Sequence, residues 1–249
     1  MIAIPMKRAA KIRLDQLLFG RGLAASREQA RALILAGQVM VEGQKSDKPG
    51  HAIDSESRVE VLEPMPYVSR GGFKLAAALD RFQIDVAGRI CLDVGSSTGG
   101  FTDCLLQRGA ASVHAIDVGK GQLDWKLRNH ARVIVRESIN ARFLSPGDFD
   151  KKFDLATCDA SFISTTLLIP AMVPLLAPAG EMVILVKPQF ESRRGQVGRG
   201  GIVRDPEVHR AACARVQTCV ESFGYRTEIM DSPILGAEGN REFLLYARH

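Results

Sequence analysis

Apolar positions in residues 11–63 recur first with a helical and then with a strand period. Ile12, Leu14, Leu17 and Leu18 share one face of a helix that Gly20-Arg21-Gly22 ends. Ser26 is placed to cap a second helix, Arg27 to Ala36, closed by Gly37. Val39-Met40-Val41 runs into Glu42-Gly43 as a strand entering a turn, and Arg58-Val59-Glu60-Val61-Leu62 alternates as a strand. Two helices and short strands predict a small α+β module. In Pro64-Met65-Pro66-Tyr67-Val68 two prolines fix φ and forbid helix. The expected division is a tail 1–10, a module 11–63, a linker 64–68 and a second domain 69–249.

From residue 69 the period switches back and forth. A helix Gly71–Phe82 precedes strand Arg89–Val94, helix Gly100–Arg108 and strand Ser112–Asp117. Strands Arg132–Arg136 and Phe153–Asp159 follow, then a proline-interrupted helix Phe162–Leu176 and strand Glu181–Lys187. Helix Pro206–Phe223 leads to strands Tyr225–Met230 and Arg241–Ala247. Such alternation predicts a Rossmann-like α/β domain, a mostly parallel sheet covered on both faces. The last two strands are joined by a short loop without a helix, so the closing strand is expected to be antiparallel.

Composition narrows the partners more than the fold. With 46% hydrophobic and 24% charged residues, the 249-residue chain is of the soluble globular kind. Its formal net charge is +5. Residues 1–31 hold Lys7, Arg8, Lys11, Arg13, Arg21, Arg27 and Arg31 against Asp15 and Glu28, and seven minus two is the whole excess. A polyanion suits that end of the chain. Cys91, Cys104, Cys158, Cys213 and Cys219 form no Cys-x-x-Cys pair and no zinc-type spacing with histidine. Reduced, buried thiols in a cytoplasmic protein are therefore expected, and no metal site. Met1–Met6 is too short for a signal-peptide core. The longest apolar stretch, Leu167 to Gly180, contains Pro170, Pro174 and Pro178 and is shorter than the roughly 20 residues of a spanning helix, so no membrane role is expected.

The candidate chemistry lies at strand ends, where doubly wound sheets bind ligands. Asp93-Val94-Gly95-Ser96-Ser97-Thr98-Gly99-Gly100-Phe101-Thr102 is a strand–glycine turn–helix unit whose bare backbone lets a ligand approach. Its spacing is G-x-x-x-G-G, unlike the G-x-G-x-x-G of dinucleotide sites, and its first residue is a carboxylate. A carboxylate repels a pyrophosphate and welcomes an ammonium, which favours S-adenosylmethionine over NAD or ATP. Asp93, Gly95, Ser97, Gly99 and Phe101 are the candidate cofactor contacts. Asp117 alone would read as a turn residue, but ending the next strand beside this loop it is placed to accept from ribose hydroxyls. Asp159 and Lys187 end two further strands, with Asp159 either a helix cap, a cofactor contact or a catalytic group. Cys158 would suit a cytosine-C5 nucleophile, but alternation turns it away from Asp159 into packing. Asp159-Ala160-Ser161-Phe162 lacks the prolines of amino-methylating enzymes. A lysine/carboxylate set fits methylation of a hydroxyl, since an amine crowded by other cations can act as a base. For Phe162 an apolar core position is expected, with stacking on a splayed base as the alternative.

These residues resemble a known family. Arg13-Leu14-Asp15, Gly22-Leu23-Ala24-Ala25-Ser26-Arg27-Glu28-Gln29-Ala30 and Gly37-Gln38-Val39-Met40-Val41-Glu42-Gly43 look like an S4 RNA-binding domain. Val68-Ser69-Arg70-Gly71-Gly72-Phe73-Lys74-Leu75, the glycine loop and Val186-Lys187-Pro188-Gln189-Phe190-Glu191 resemble the TlyA, or haemolysin-A-like, ribosomal RNA methyltransferases, in the same order and over essentially the whole chain. The resemblance implies a class I methyltransferase domain of the FtsJ/RrmJ type, a seven-stranded sheet, S-adenosylmethionine as cofactor, and methylation of a ribose 2′-OH, that of a cytidine, in ribosomal RNA. It implies a Lys-Asp-Lys-Glu tetrad of Lys74, Asp159, Lys187 and Glu242, with Glu238 a competitor for the last place. Candidate RNA contacts are Lys11, Arg13, Arg21, Arg27 and Arg31 in the first module and Arg193, Arg194 and Arg199 in a glycine-rich loop after Lys187. A monomer acting on ribosomal subunits is expected. The alternatives are a non-catalytic RNA-binding or assembly factor, a pore-forming haemolysin and, more distantly, an NAD enzyme.

Overall fold

The computed structural model describes residues 10–63, 65–236 and 239–249. Lys7 and Arg8 of the basic tail lie outside them, as does Glu238; of Arg194 only the backbone is described. The chain divides into two compact units between Pro66 and Tyr67.

In the first unit β1 (Lys11–Arg13) leads directly into α1 (Leu14–Gly20), followed by α2 (Arg27–Leu35), β2 (Val39–Val41), β3 (Gln44–Lys45), β4 (Ala52–Asp54) and β5 (Val59–Val61). The expected first helix thus starts at Leu14, because Ile12 pairs with Ile53 in a strand too short to show a period. β2 lies between β3 and β5. Ser26 caps α2 by accepting the Gln29 N–H at 3.1 Å, and the Gln29 side chain accepts the Ala25 N–H in return. Leu14, Leu18, Ala30, Ile34 and Val39 are fully buried as the core.

The second unit runs α3 (Gly71–Arg81), β6 (Ile90–Val94), α4 (Gly100–Gln107), β7 (Ser112–Ile116), α5 (Trp125–Arg128), β8 (Val133–Arg136), β9 (Phe153–Cys158), α6 (Ile169–Met172), β10 (Leu176–Val186), α7 (Pro188–Glu191), α8 (Pro206–Glu221), β11 (Arg226–Asp231) and β12 (Phe243–Arg248). Its seven strands form one sheet in the order β11-β12-β10-β9-β6-β7-β8. β6 to β10 are parallel, and β12 runs antiparallel to both its neighbours. Alternation splits the side chains between two cores. Leu92, Val94, Ala156, Ile184 and Leu245 face α6 and α8, while Cys91, Val113, Leu155, Leu185 and Leu244 face α3, α4 and α5.

The single helix expected over 162–176 is instead a 3-10 turn at Thr165–Leu167, the four-residue α6 and a second 3-10 turn at Val173–Leu175. Phe162 adopts φ +64° and Pro170 and Pro174 interrupt the ladder, so no continuous helix forms. Phe153 anchors the sheet's other end, fully buried with edge-on contacts at 5.0 Å to both His114 and Phe149. Phe153→Ala should cost about 3–5 kcal/mol of unfolding free energy, read from urea denaturation.

Candidate active site

The site follows from strand register. Val94 lies opposite Cys158, so the next residues, Gly95 and Asp159, emerge side by side where β6 and β9 end. Gly95 has φ +80°, and a Cβ there would stand 2.8 Å from the Asp159 carbonyl oxygen. Only glycine fits that turn. On the other side of β10, Val186 pairs with Phe243. Because β12 is antiparallel, its first residues stand at the edge where the parallel strands finish, and Glu242 is brought level with Lys187.

Lys74 arrives from a helix. The starts of α3 and α4 approach so closely that a Cβ on Gly100 would stand 2.9 Å from the Gly72 nitrogen. This sets the first turn of α3 against the sheet edge, and the Lys74 ammonium donates to Glu242. The Lys187 ammonium lies 2.6 Å from Asp159 Oδ1 and donates to Ser161 Oγ at 2.8 Å. The Asp159 contact is an ion pair without hydrogen-bond alignment. All four tetrad candidates line one cavity of about 590 Å³, with Arg70, Ser97, Phe162 and Gln189 among the other wall residues. Lys74, Lys187 and Glu242 are each less than a tenth exposed. Charges this dehydrated persist only when paired.

The glycine loop is fixed from beneath. Asp93 is fully buried; it accepts Thr102 Oγ1–H at 2.6 Å and Thr157 Oγ1–H at 2.9 Å, and burial pushes its pKa up to about 6. Its carboxyl joins the loop's helix to β9. Phe101 is likewise packed in the core under the loop, and Gly99, at φ +99°, admits the Leu127 side chain. Gly95 and Ser97 remain at the surface of the loop. Asp117 accepts the Ser97 and Gly119 N–H groups at 2.8 and 2.7 Å, which aims its carboxylate at the loop while leaving it partly exposed. Beyond it stand two exposed apolar side chains, Val118 and Trp125, in a segment tied to the loop by the Asp124 N–H to Thr98 carbonyl bond of 3.1 Å. S-adenosylmethionine fits this cradle: bare backbone at Gly95, an acceptor for ribose hydroxyls at Asp117, and apolar faces for a purine.

The core position expected for Phe162 is overturned. Its ring is 91% exposed and lies 5.2 Å from that of Phe190, because positive φ turns it out of the sheet's packing. Cys158 by contrast is buried and its thiol is pushed up to about 12 by burial, which removes it as a nucleophile. All five cysteines are free thiols. Val197 and Gly201 of the glycine-rich loop line the cavity, and Asn240 holds that loop by accepting the Val203 N–H and donating to the Gly201 carbonyl, both at 3.0 Å. Arg193 and Arg199 project from it into solvent. In the first unit Arg13 forms a bidentate pair with the buried Asp15, at 3.0 and 2.8 Å, and Arg27 lies 3.7 Å from the same carboxylate. Arg21 instead donates to the carbonyls of Ser55 and Ser57, bracing a loop, while Lys11 and Arg31 are exposed. Sequence reasoning missed Ser161, Gln189, Asn240, Val118 and Trp125; Ser161, Gln189 and Asn240 carried a signal, by lying within segments singled out around Asp159, Lys187 and Glu242.

A doubly wound sheet with a glycine-cradled nucleoside site and a lysine/carboxylate cavity at the same edge defines a Rossmann-like methyltransferase. Residues 67–249 match the FtsJ-like methyltransferase model and residues 12–59 the S4 domain, and the chain belongs to the FtsJ-like methyltransferase family. It is 45% identical over 243 residues to the 16S/23S rRNA (cytidine-2′-O)-methyltransferase TlyA of Mycobacterium tuberculosis, covering 96% of this chain and 91% of that one. It is 41% identical to Hemolysin A of Brachyspira hyodysenteriae, over 94% of this chain and 99% of the relative. A solved structure from Streptococcus thermophilus, 43% identical, matches 96% of this chain and 88% of its own with a TM-score of 0.74. No helix among the described residues is long and apolar enough to cross a membrane.

The raised pKa of Asp93 has a sign. A carboxyl that holds its proton more tightly when folded stabilises the fold fully below its unfolded pKa, near 3.8, and loses that contribution as pH rises through about 6. Asp93→Asn, which cannot ionise, should therefore gain on the wild type with rising pH, by up to about 3 kcal/mol at pH 7.5 relative to pH 4. Thermal unfolding of both proteins across that range measures it.

Proposed function

We propose that the protein transfers a methyl group from S-adenosylmethionine to the ribose 2′-OH of a cytidine in ribosomal RNA, using Lys74, Asp159, Lys187 and Glu242. The observation that carries this reading is the pairing of two lysines with two carboxylates in a single cavity beside the glycine cradle. The acceptor and the RNA class are supported by the name of the Mycobacterium tuberculosis relative and by the S4 match.

S-adenosylmethionine, when bound, supplies an electrophilic methyl group on a sulfonium. Lys187, as the free amine with its own proton already lost to solvent, positions the ribose hydroxyl and receives its proton as the oxygen attacks. Asp159 and Ser161 hold the lysine's nitrogen from two directions, so that the lone pair of the free amine is turned to the acceptor hydroxyl. Glu242 holds Lys74, whose charge sets the field of the pocket. Orientation of this kind provides much of the acceleration in a transfer between two bound molecules. Phe162 and Phe190 stand at the cavity's wall as stacking faces for a base turned out of its helix. Backbone recognition falls to the basic groups of the first unit, where the buried Asp15 presents Arg13 and Arg27 together.

Purified ribosomal subunits and free rRNA incubated with methyl-labelled S-adenosylmethionine should take label at a 2′-O position; if none does, the reading fails. Lys187→Ala should lower kcat about 10²- to 10⁴-fold with RNA binding unchanged. A non-catalytic RNA-binding factor would show no such loss. Arg27→Ala should weaken RNA binding across sequences and reduce the slope of log affinity against log salt by about 0.7–0.9, measured by filter binding at several salt concentrations.

A further inference from the structure

Glu191 is a buried carboxylate that the chemistry above does not use. It is 2% exposed, and no ion pair reaches its carboxylate among the described residues. Oε1 accepts the Thr165 N–H at 2.7 Å and the Thr165 hydroxyl at 2.8 Å, and Oε2 accepts the Ser164 hydroxyl. Its own carbonyl accepts from Arg215 at 2.7 Å. A carboxylate kept out of water without a cation is costly unless hydrogen bonds replace its hydration, and here three donors do so.

The position of these bonds matters more than their number. The ladder between β9 and β10 ends at Cys158 opposite Ile184, so beyond it the two chains have no backbone pairing to hold them together. Yet the stretch after β9 carries Asp159, Ser161 and Phe162, and the stretch after β10 carries Lys187 and Phe190. Three contacts cross between them inside the cavity: Lys187 to Asp159, Lys187 to Ser161, and the Phe162–Phe190 ring pair. A bound substrate would perturb each of these. The Glu191 bonds cross the same gap outside the cavity, from the end of α7 to the 3-10 turn that begins at Thr165.

We infer that Glu191 is a positioning residue, a buried lock that holds the loop after β9 to the loop after β10 so that Lys187 meets the acceptor hydroxyl in register. This rests on the reading of the cavity as the methyl-transfer site. Glu191 touches none of the reacting atoms and acts through the spacing of Asp159, Ser161 and Lys187.

Glu181 provides a control, because it is a second largely buried carboxylate, in β10 ahead of Lys187 and away from the cavity lining, and accepts from Arg89 and Tyr246. In the full-length protein, Glu191→Ala should lower kcat for RNA methylation about 10- to 100-fold, with the KM for RNA and the Kd for S-adenosylmethionine within about twofold of wild type. Amide exchange at Thr165 should accelerate. Glu191→Gln should recover most of the rate, since its amide oxygen still accepts and the Ser164 hydroxyl can turn to accept from its NH₂. Glu181→Gln should lower the Tm and leave kcat unchanged. The inference is overturned if Glu191→Ala keeps kcat within about threefold of wild type, or if Glu181→Gln loses as much rate at an equal Tm deficit. Should Glu191→Ala not fold, Ser164→Ala removes one donor from the same lock and must reduce kcat while the glutamine variant stays active. If the wild type methylates no RNA, the functional reading fails, whereas the lock then stands or falls on whether Thr165 exchange accelerates in the Glu191 variant and not in the Glu181 variant.

Discussion

A side chain on residue 95 would stand 2.8 Å from the Asp159 carbonyl oxygen, and both halves of the site depend on its absence. The ladder bonds β6 to β9 in a register that delivers the glycine loop and the acid of the second loop to one point. Glycine at 95 lets them stay there. The loop for a nucleoside cofactor and the lysine/carboxylate cavity are thus fixed to one another by backbone pairing, the stiffest material available, and side chains refine what the sheet has set. The reversal of β12 has a similar effect on the far side. An antiparallel strand inserted between β10 and β11 begins where its parallel neighbours end, so a carboxylate just before it reaches the same rim.

The charges follow from this crowding. Four ionisable groups converge on one cavity, three of them less than a tenth exposed, where an unpaired charge is costly. Two ion pairs solve the problem in different ways. Lys74 and Glu242 are both deeply buried and close on each other, a pair whose work is to persist. Lys187 is shared between Asp159 and Ser161, the first an ion pair out of hydrogen-bond alignment and the second a neutral hydroxyl. That holding engages the Lys187 nitrogen from two sides, where Lys74 has a single charged partner.

Much of this was legible in the sequence, and the reasons for the exceptions are physical. Strands of five or more residues, with apolar runs ending in Asp93, Asp117, Asp159 and Lys187, announced the sheet, its order of elements and the ligand edge. The helix expected over 162–176 did not form because a positive φ at Phe162 and prolines within the segment outweigh its apolar period. The same turn puts Phe162 in solvent, where hydrophobicity alone places it in the core. The three-residue β1 escaped notice since pairing with β4, a long-range event, creates it. Lys74 shows the opposite limit: in isolation a helix lysine reads as solvated, and only the close approach of two glycine-bearing helix starts sinks it beside Glu242. Glu238, the competitor for that place, lies outside the described residues.

Three acids of the two units share one arrangement. Asp15, Asp93 and Glu191 are at most 2% exposed, although aspartate and glutamate are by default surface residues. Each is surrounded by donors that keep its charge or proton in place: Arg13 for Asp15, two threonine hydroxyls for Asp93, and a serine, a threonine and a backbone N–H for Glu191. Each also stands directly behind a candidate site segment, respectively a pair of surface arginines, the glycine loop and the two loops that carry Lys187 and Asp159. A carboxylate is suited to this because its two oxygens can take donors from two different segments at once, which a hydroxyl or a hydrophobic contact does with less directional precision. The energetic cost of burying these acids is thus coupled to the geometry of the groups in front of them.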